Sequence, residues 1–160
     1  MFGEDYPLVA CADYVLGKLS RRNTVSNLSS SRALRDITPK HGGTYTASAV
    51  GEVNVVIKMK ETNTVIGGEG NGGIIYPASH YGRGSLVGVA LFLSLMAHKK
   101  MSCKALRDSY PSYFMSKNKI QLTPEIDVDR ILETIANKYA GEEVNTIDGV
   151  KIDFAKQWVH

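Results

Sequence analysis

A chain of 160 residues that is 43% hydrophobic can bury at least one full core, and its length sits at the boundary between one domain and two. Its 19 basic and 16 acidic side chains leave a net charge of +3, and the longest basic runs are the pairs Arg21-Arg22 and Lys99-Lys100. That pattern is too sparse for the basic stripe with interleaved aromatics of a nucleic-acid binder, and no apolar run reaches the ~18 to 20 residues of a membrane span.

The first segment, Tyr6 to Leu19, carries Leu8, Val9, Ala12, Val15, Leu16 and Leu19 at helical spacing. Thr24 to Leu28 then reads as a strand, Ser31 to about Thr38 as a helix with a serine-rich start, and Thr44 to Ala49 as an alternating strand. Gly51 to Glu61 returns to helix. Val65-Ile66 is a short strand before a glycine-rich loop, and Gly73 to Pro77 is a strand closed by proline. Ser85 to Lys99 is helical and apolar nearly all round, which predicts burial between layers. Cys103 to Ser109 is a short helix stopped at Pro111. Helices alternating with strands are the signature of an α/β layer fold.

Beyond Pro111 the character changes. Tyr113 to Leu122 is strand-like, Val128 to Tyr139 is an amphipathic helix, and Glu143 to Phe154 is a hairpin with Asp148-Gly149 at its turn. This tail ends at Trp158-Val159-His160 with no closing element in view, and it is too small to hold a good core alone. The expected organisation is therefore a domain over residues 1–111 and, over 112–160, the front part of a second, α+β domain; a small complete appendage is the other reading.

Cys11 and Cys103 lie far apart, with no His or Cys at metal-ligand spacing, so reduced buried thiols are expected, with neither disulfide nor zinc. The N-terminus Met-Phe-Gly-Glu-Asp lacks the plan of a signal peptide, which makes the cytoplasm the expected location. His41, His80, His98 and His160 are scattered, none beside a nucleophile or a second ligand, and no G-x-S-x-G elbow is present. Turn and helix-end roles suffice for these histidines. No catalytic centre is visible.

The most informative stretch is Thr64 to Tyr76, where Glu69 and Asn71 stand among glycines at 67, 68, 70, 72 and 73. Glycines such as Gly70 permit positive φ and close approach of a ligand to the backbone, at an entropic cost that a plain turn does not require. The reading is a binding loop that presents Glu69 and Asn71 rather than packing them. A carboxylate accepts from two vicinal hydroxyls, and an amide both donates and accepts, which suits a polyol. A loop that merely turns between strands is the alternative. Gly68, Gly70 and Gly73 also spell G-x-G-x-x-G, but a dinucleotide site needs a helix at the third glycine, and here Ile74-Ile75-Tyr76-Pro77 reads as strand. Glu52, at a strand-to-helix turn, would face the positive end of its helix, where capping is the simpler role. Arg32 and Arg35 could meet a phosphate, but a solvated helix face carries such residues routinely and is the favoured reading.

Taken together, Val25-Ser26-Asn27-Leu28, Ala49-Val50-Gly51-Glu52, Gly68-Glu69-Gly70-Asn71-Gly72-Gly73 and Ile147-Asp148-Gly149-Val150-Lys151 resemble the α-D-phosphohexomutases along nearly the whole chain. Members of that family have four domains, and residues 1–111 look like the third, with 112–160 as the truncated start of the fourth. The resemblance implies a three-layer mixed-sheet α/β domain followed by an incomplete α+β piece. It also implies a parent isomerase that moves phosphate between the C6 and C1 oxygens of a hexose through a hexose bisphosphate intermediate. The phosphoserine, the Mg2+ ligands and the phosphate loop of the family have no match here, so the implied Mg2+ would be held outside this chain, and the fragment alone is expected to be inactive. Its partners would be the hexose phosphate and the remaining domains, not nucleic acid or membrane.

The family's sugar-reading loop is usually Gly-Glu-x-Ser-Gly-His. Glu69 matches its Glu, Asn71 stands for the Ser and Gly73 for the His. The implied substrate-binding residues are Glu69, Gly70, Asn71 and Glu52. The Ser-Asn-Leu strand and the acidic turn at Glu52 look most like phosphoglucosamine mutases. Phosphomannomutase or phosphoglucomutase, and a sugar-phosphate-binding module without chemistry, are the alternatives.

Overall fold

Apolar residues on both sides of the sheet require a helical layer on each in the computed structural model, which describes residues 2–123 and 125–160. The chain divides into two units, Met1–Phe114 and Met115–His160. In the first, the order is α1 (Tyr6–Lys18), β1 (Thr24–Asn27), α2 (Ala33–Ile37), a 3-10 turn (Thr38–His41), β2 (Tyr45–Ser48), α3 (Glu52–Glu61), β3 (Ile66–Gly68), β4 (Ile74–Tyr76), β5 (His80–Arg83), α4 (Ser85–Lys99) and α5 (Cys103–Asp108). The strands form one mixed sheet in the order β2-β1-β3-β4-β5, parallel across β2-β1-β3 and antiparallel across β3-β4-β5.

Alternation along the strands splits the core. Ile66 and Ile74 point to one face and join Leu8, Val9, Leu16, Leu34 and Leu95 from α1, α2 and α4. Val25 and Ile75 point to the other face and meet Val55 and Met59 of α3. The expected α/β layer class and its mixed sheet are present. β5 was not foreseen: His-Tyr-Gly-Arg has no apolar alternation, and it pairs only as the outer strand of the sheet, through an irregular register at Ile75/Tyr76.

A polar knot ties the helical layer together. Asp13 of α1 is nearly buried and accepts from His41 Nε2 at 2.8 Å, from the Tyr110 hydroxyl at 2.9 Å and from the Lys99 ammonium. Burial alone would raise the Asp13 carboxyl, but hydrogen bonds from Lys99, Tyr110 and His41 hold it below the usual aspartate value of 3.8. The same surroundings push the Tyr110 phenol well up, through burial first and the Asp13 charge second. The Tyr6 hydroxyl donates to the Pro111 carbonyl at 2.7 Å and accepts from the Tyr113 amide at 3.0 Å, while the Arg107 guanidinium stacks 3.5 Å over its ring.

Three expectations need correction. α4 is not buried between layers: only Gly88 and Leu95 are fully covered, and Leu86, Val89 and Leu93 lie exposed in a stripe along its outer side. A helix that packs by one face has no use for apolar residues on the other within this unit, so composition overstated its burial. Of the two thiols only Cys11 is buried, where burial pushes it up to about 12; Cys103 is exposed at the start of α5. Tyr113 to Leu122 forms no strand, and Phe114 and Ile120 are almost fully exposed, because no neighbouring strand takes up its backbone.

The second unit contains α6 (Val128–Lys138), β6 (Glu143–Asn145), β7 (Lys151–Asp153) and β8 (Trp158–Val159), with a sheet in the order β6-β7-β8. Asp127 caps α6 by accepting from the Arg130 amide at 3.0 Å. The hairpin at Asp148-Gly149 forms as its dipeptide predicts, with Asn145 opposite Lys151 and Gly149 at φ +66°. Trp158-Val159 adds β8 to the hairpin, a strand that was not foreseen. Two residues are too few for periodicity to show a strand.

Candidate functional site

Parallel β1 and β3 lie side by side with Ser26 opposite Gly68, so Asn27 and Glu69 leave the sheet together at its carboxyl-terminal edge. In open α/β sheets that edge, where neighbouring connections diverge to opposite sides, is where ligands bind. Asn27 Nδ2 donates to Glu69 Oε1 at 2.9 Å, and Ser30 Oγ donates to Asn27 Oδ1 at 2.9 Å. Asn27 and Ser30 are almost fully buried, and Glu69 is 7% exposed. The expectation that Glu69 is presented rather than packed is therefore wrong: its carboxylate is clamped. A buried carboxylate without such a donor would carry a heavy desolvation penalty.

The glycines around it have structural causes of their own. A Cβ on Gly70 would stand 2.6 Å from Asp5 Oδ1 and 3.0 Å from Ser30 Cα, because the loop lies directly on the turn after β1. Asp5 in turn accepts from the Ser31 amide at 3.1 Å and from the Ser31 hydroxyl. Gly72 sits at φ +86°, which closes the turn from Glu69 to Gly73. Glycine content alone thus does not identify a binding loop here. Asn71 is exposed, as expected, and its Oδ1 accepts from the Gly73 amide at 3.1 Å, so the side chain also braces the turn.

Glu52 opens α3, yet it is not a cap: the N-cap is Gly51, with no side-chain cap bond. Both Glu52 oxygens are spent on Arg83 of β5, Oε1 accepting from its backbone amide at 3.1 Å and Oε2 from Nε at 2.8 Å. Arg83 Nη1 then stands 3.8 Å from Glu69 Oε2. Three of the expected residues, Glu69, Gly70 and Asn71, share one turn, and Glu52 joins them only through Arg83. Arg32 is the buried N-cap residue of α2, and Arg35 lies half-buried within that helix. The residues that sequence reasoning missed are Asn27, Ser30 and Arg83. A polar residue at the end of a buried strand was the available signal for Asn27. Arg83 had none, since β5 itself was unforeseen.

Chemically, the edge offers an acceptor with capacity to spare beside a donor. Glu69 Oε2 is too far from Arg83 for a direct hydrogen bond, so an oxygen that both donates and accepts can enter between them. Among the described residues no three His, Cys, Asp or Glu side chains come together as a metal site, so these residues do not fit Mg2+. No helix among them is long and apolar enough to cross a membrane.

The chain is similar to known proteins over most of its length. A family profile described as phosphoglucomutase/phosphomannomutase, alpha/beta/alpha domain III, matches residues 4–113. A phosphoglucosamine/phosphogalactosamine mutase of Sulfurisphaera tokodaii is 34% identical over 133 residues, which cover 82% of this chain and 29% of that protein. A phosphoglucomutase/phosphomannomutase of Thermococcus kodakarensis is 30% identical over 157 residues, covering 97% and 34%. A crystal structure of a phosphoglucomutase/phosphomannomutase family protein from Burkholderia thailandensis superposes with a TM-score of 0.78 at 23% identity, over 98% of this chain and 34% of that one, and shows the same fold. The chain spans about a third of the length of the relatives it matches.

Proposed function

This chain belongs to the phosphoglucomutase/phosphomannomutase family as its alpha/beta/alpha domain III, and we propose that it is the sugar-reading part of a hexose-phosphate mutase. Residues 1–111 act as the third domain and 112–160 as the beginning of the fourth. The parent enzyme moves phosphate between the C6 and C1 oxygens of a hexose through a bisphosphorylated intermediate, in the cytoplasm, with Mg2+ held by domains outside this chain. The observation that carries the reading is Glu69: one oxygen accepts from Asn27 and the other stands 3.8 Å from Arg83 Nη1, at the kind of sheet edge where ligands bind in open α/β sheets. Gly70 and Asn71 shape the turn that holds it, and Glu52 serves the site through Arg83.

The substrate we infer is an amino sugar, glucosamine 6-phosphate converted to glucosamine 1-phosphate. Glu52 and Glu69 both stand beside Arg83, and carboxylates so placed can receive a protonated amine. The Sulfurisphaera relative bears a matching name. The Thermococcus relative supports the second reading, glucose or mannose phosphates. Steady-state kinetics of the full-length protein decides between them: kcat/KM highest for glucosamine 6-phosphate supports the amino sugar, and a higher value for glucose or mannose 6-phosphate sinks it. Glu69→Gln should lower kcat/KM by roughly tenfold or more through lost charge-assisted hydrogen bonds. Unchanged kinetics in that variant would remove Glu69 from the site.

A further inference from the structure

Gly73 has no conformational need to be glycine: the positive-φ positions of this turn are Gly68 and Gly72. A side chain is excluded there chiefly by one neighbour, since its Cβ would stand 2.6 Å from Arg83 Cδ and 3.4 Å from Arg83 Cγ, with Asn71 Oδ1 at 3.1 Å. The stem of Arg83 fills the space a residue at 73 would occupy. We propose that Arg83 is a substrate-contacting residue of this site, entering from β5 into the room that Gly73 leaves and giving the sugar a donor beside Glu69. The inference rests on the sugar-reading assignment of Glu69.

Three features carry it. Glu52 fixes Arg83 at its backbone amide and at Nε, which leaves the terminal nitrogens of the guanidinium to face the turn. Nη1 and Glu69 Oε2 are 3.8 Å apart, and a hydroxyl oxygen ~2.8 Å from each fits on that base, donating to the carboxylate while accepting from the guanidinium. Finally, half of the Arg83 side chain is exposed, so its ion pair with Glu52 adds little to folding. A residue so carefully oriented and so weakly stabilising is placed for a ligand.

The test is a swap between positions 73 and 83 in the full-length protein, with glucosamine 6-phosphate and glucose 6-phosphate as substrates. Arg83→Ala should lower kcat/KM roughly 10- to 100-fold while the unfolding midpoint of the chain moves by only about 2 °C or less. Gly73→His should be harmful with Arg83 present, because the two side chains compete for one space. In the double variant Gly73→His/Arg83→Ala the imidazole takes that space as a donor, and activity should recover roughly tenfold over Arg83→Ala. Kinetics of Arg83→Ala within twofold of the unmodified protein would overturn the contact, and a double variant no better than Arg83→Ala would overturn the exchange of places. Glu69→Ala separates the two levels. If it is inactive while Arg83→Ala is not, only Arg83 loses its role; if Glu69→Ala is itself unaffected, the sugar-reading assignment falls and this inference with it.

Discussion

Helix α1 of the first unit and helix α6 of the second differ in a way their sequences do not advertise. α6 is the more sharply two-sided in apolar pattern, yet none of its residues is fully buried, whereas α1, less sharply divided, buries Tyr6, Leu8, Val9, Ala10, Cys11, Ala12, Val15 and Leu16. α1 packs against α2, α4 and the sheet and is covered on more than one side. In the second unit only Lys151 and Ile152 are buried among the described residues. Local signals are enough to cap α6 and turn the Asp148-Gly149 hairpin, but stability comes from apolar area removed from water, and that needs a partner layer.

The sharpest way to break this contrast is a matched pair of truncations. Leu16→Ala, at a site with no exposed surface, should cost about 2 to 5 kcal/mol in denaturant unfolding, and Ile131→Ala, on the half-exposed face of α6, about 0.5 kcal/mol or less. Equal losses would mean that the second unit has a core comparable with the first.

Asp13→Asn comes next, at roughly 1 to 3 kcal/mol, because it leaves the Lys99 ammonium and the Tyr110 hydroxyl poorly matched across the helical layer. The sign with pH follows from the lowered Asp13 value. A carboxyl whose folded pKa lies below its unfolded one adds stability that is complete above about pH 4 and is lost as pH falls through the folded value. Acid titration of the unfolding free energy should therefore be shallower below about pH 4 in Asp13→Asn than in the unmodified chain. Parallel curves would exclude Asp13 as a source of that slope.

The smallest effect is expected on the outer side of α4. Leu93→Ser should change the stability of this chain by about 0.5 kcal/mol or less, since Leu93 is 56% exposed. A loss of 2 kcal/mol would show that the stripe of Leu86, Val89 and Leu93 is covered in solution.

Much of the candidate site was readable and part of its logic was not. Glu69 stood out because a carboxylate among glycines is unusual, and it lies at the carboxyl-terminal edge of the sheet. Why it lies there was hidden: the glycines answer to close contacts with Asp5 and Ser30, and the carboxylate answers to Asn27, 42 residues earlier in the chain. Glu52 was noticed for its place at a helix start, but its partner is Arg83, on a strand without strand character. Such pairings depend on which strands become neighbours, and periodicity is blind to that.

What the sequence determined by itself are the features set by contacts a few residues apart. These are the alternation of helix and strand that implies layers, the helix over Tyr6–Lys18, the cap at Asp127, and the turn at Asp148-Gly149. Tertiary structure alone decided the strand order β2-β1-β3-β4-β5, the exposed face of α4, the knot at Asp13, and the clamp that joins Asn27, Glu69, Arg83 and Glu52. The physical reason is that local propensity is expressed within one turn or one strand. Burial and the pairing of buried polar groups, by contrast, are properties of neighbours that only folding brings together.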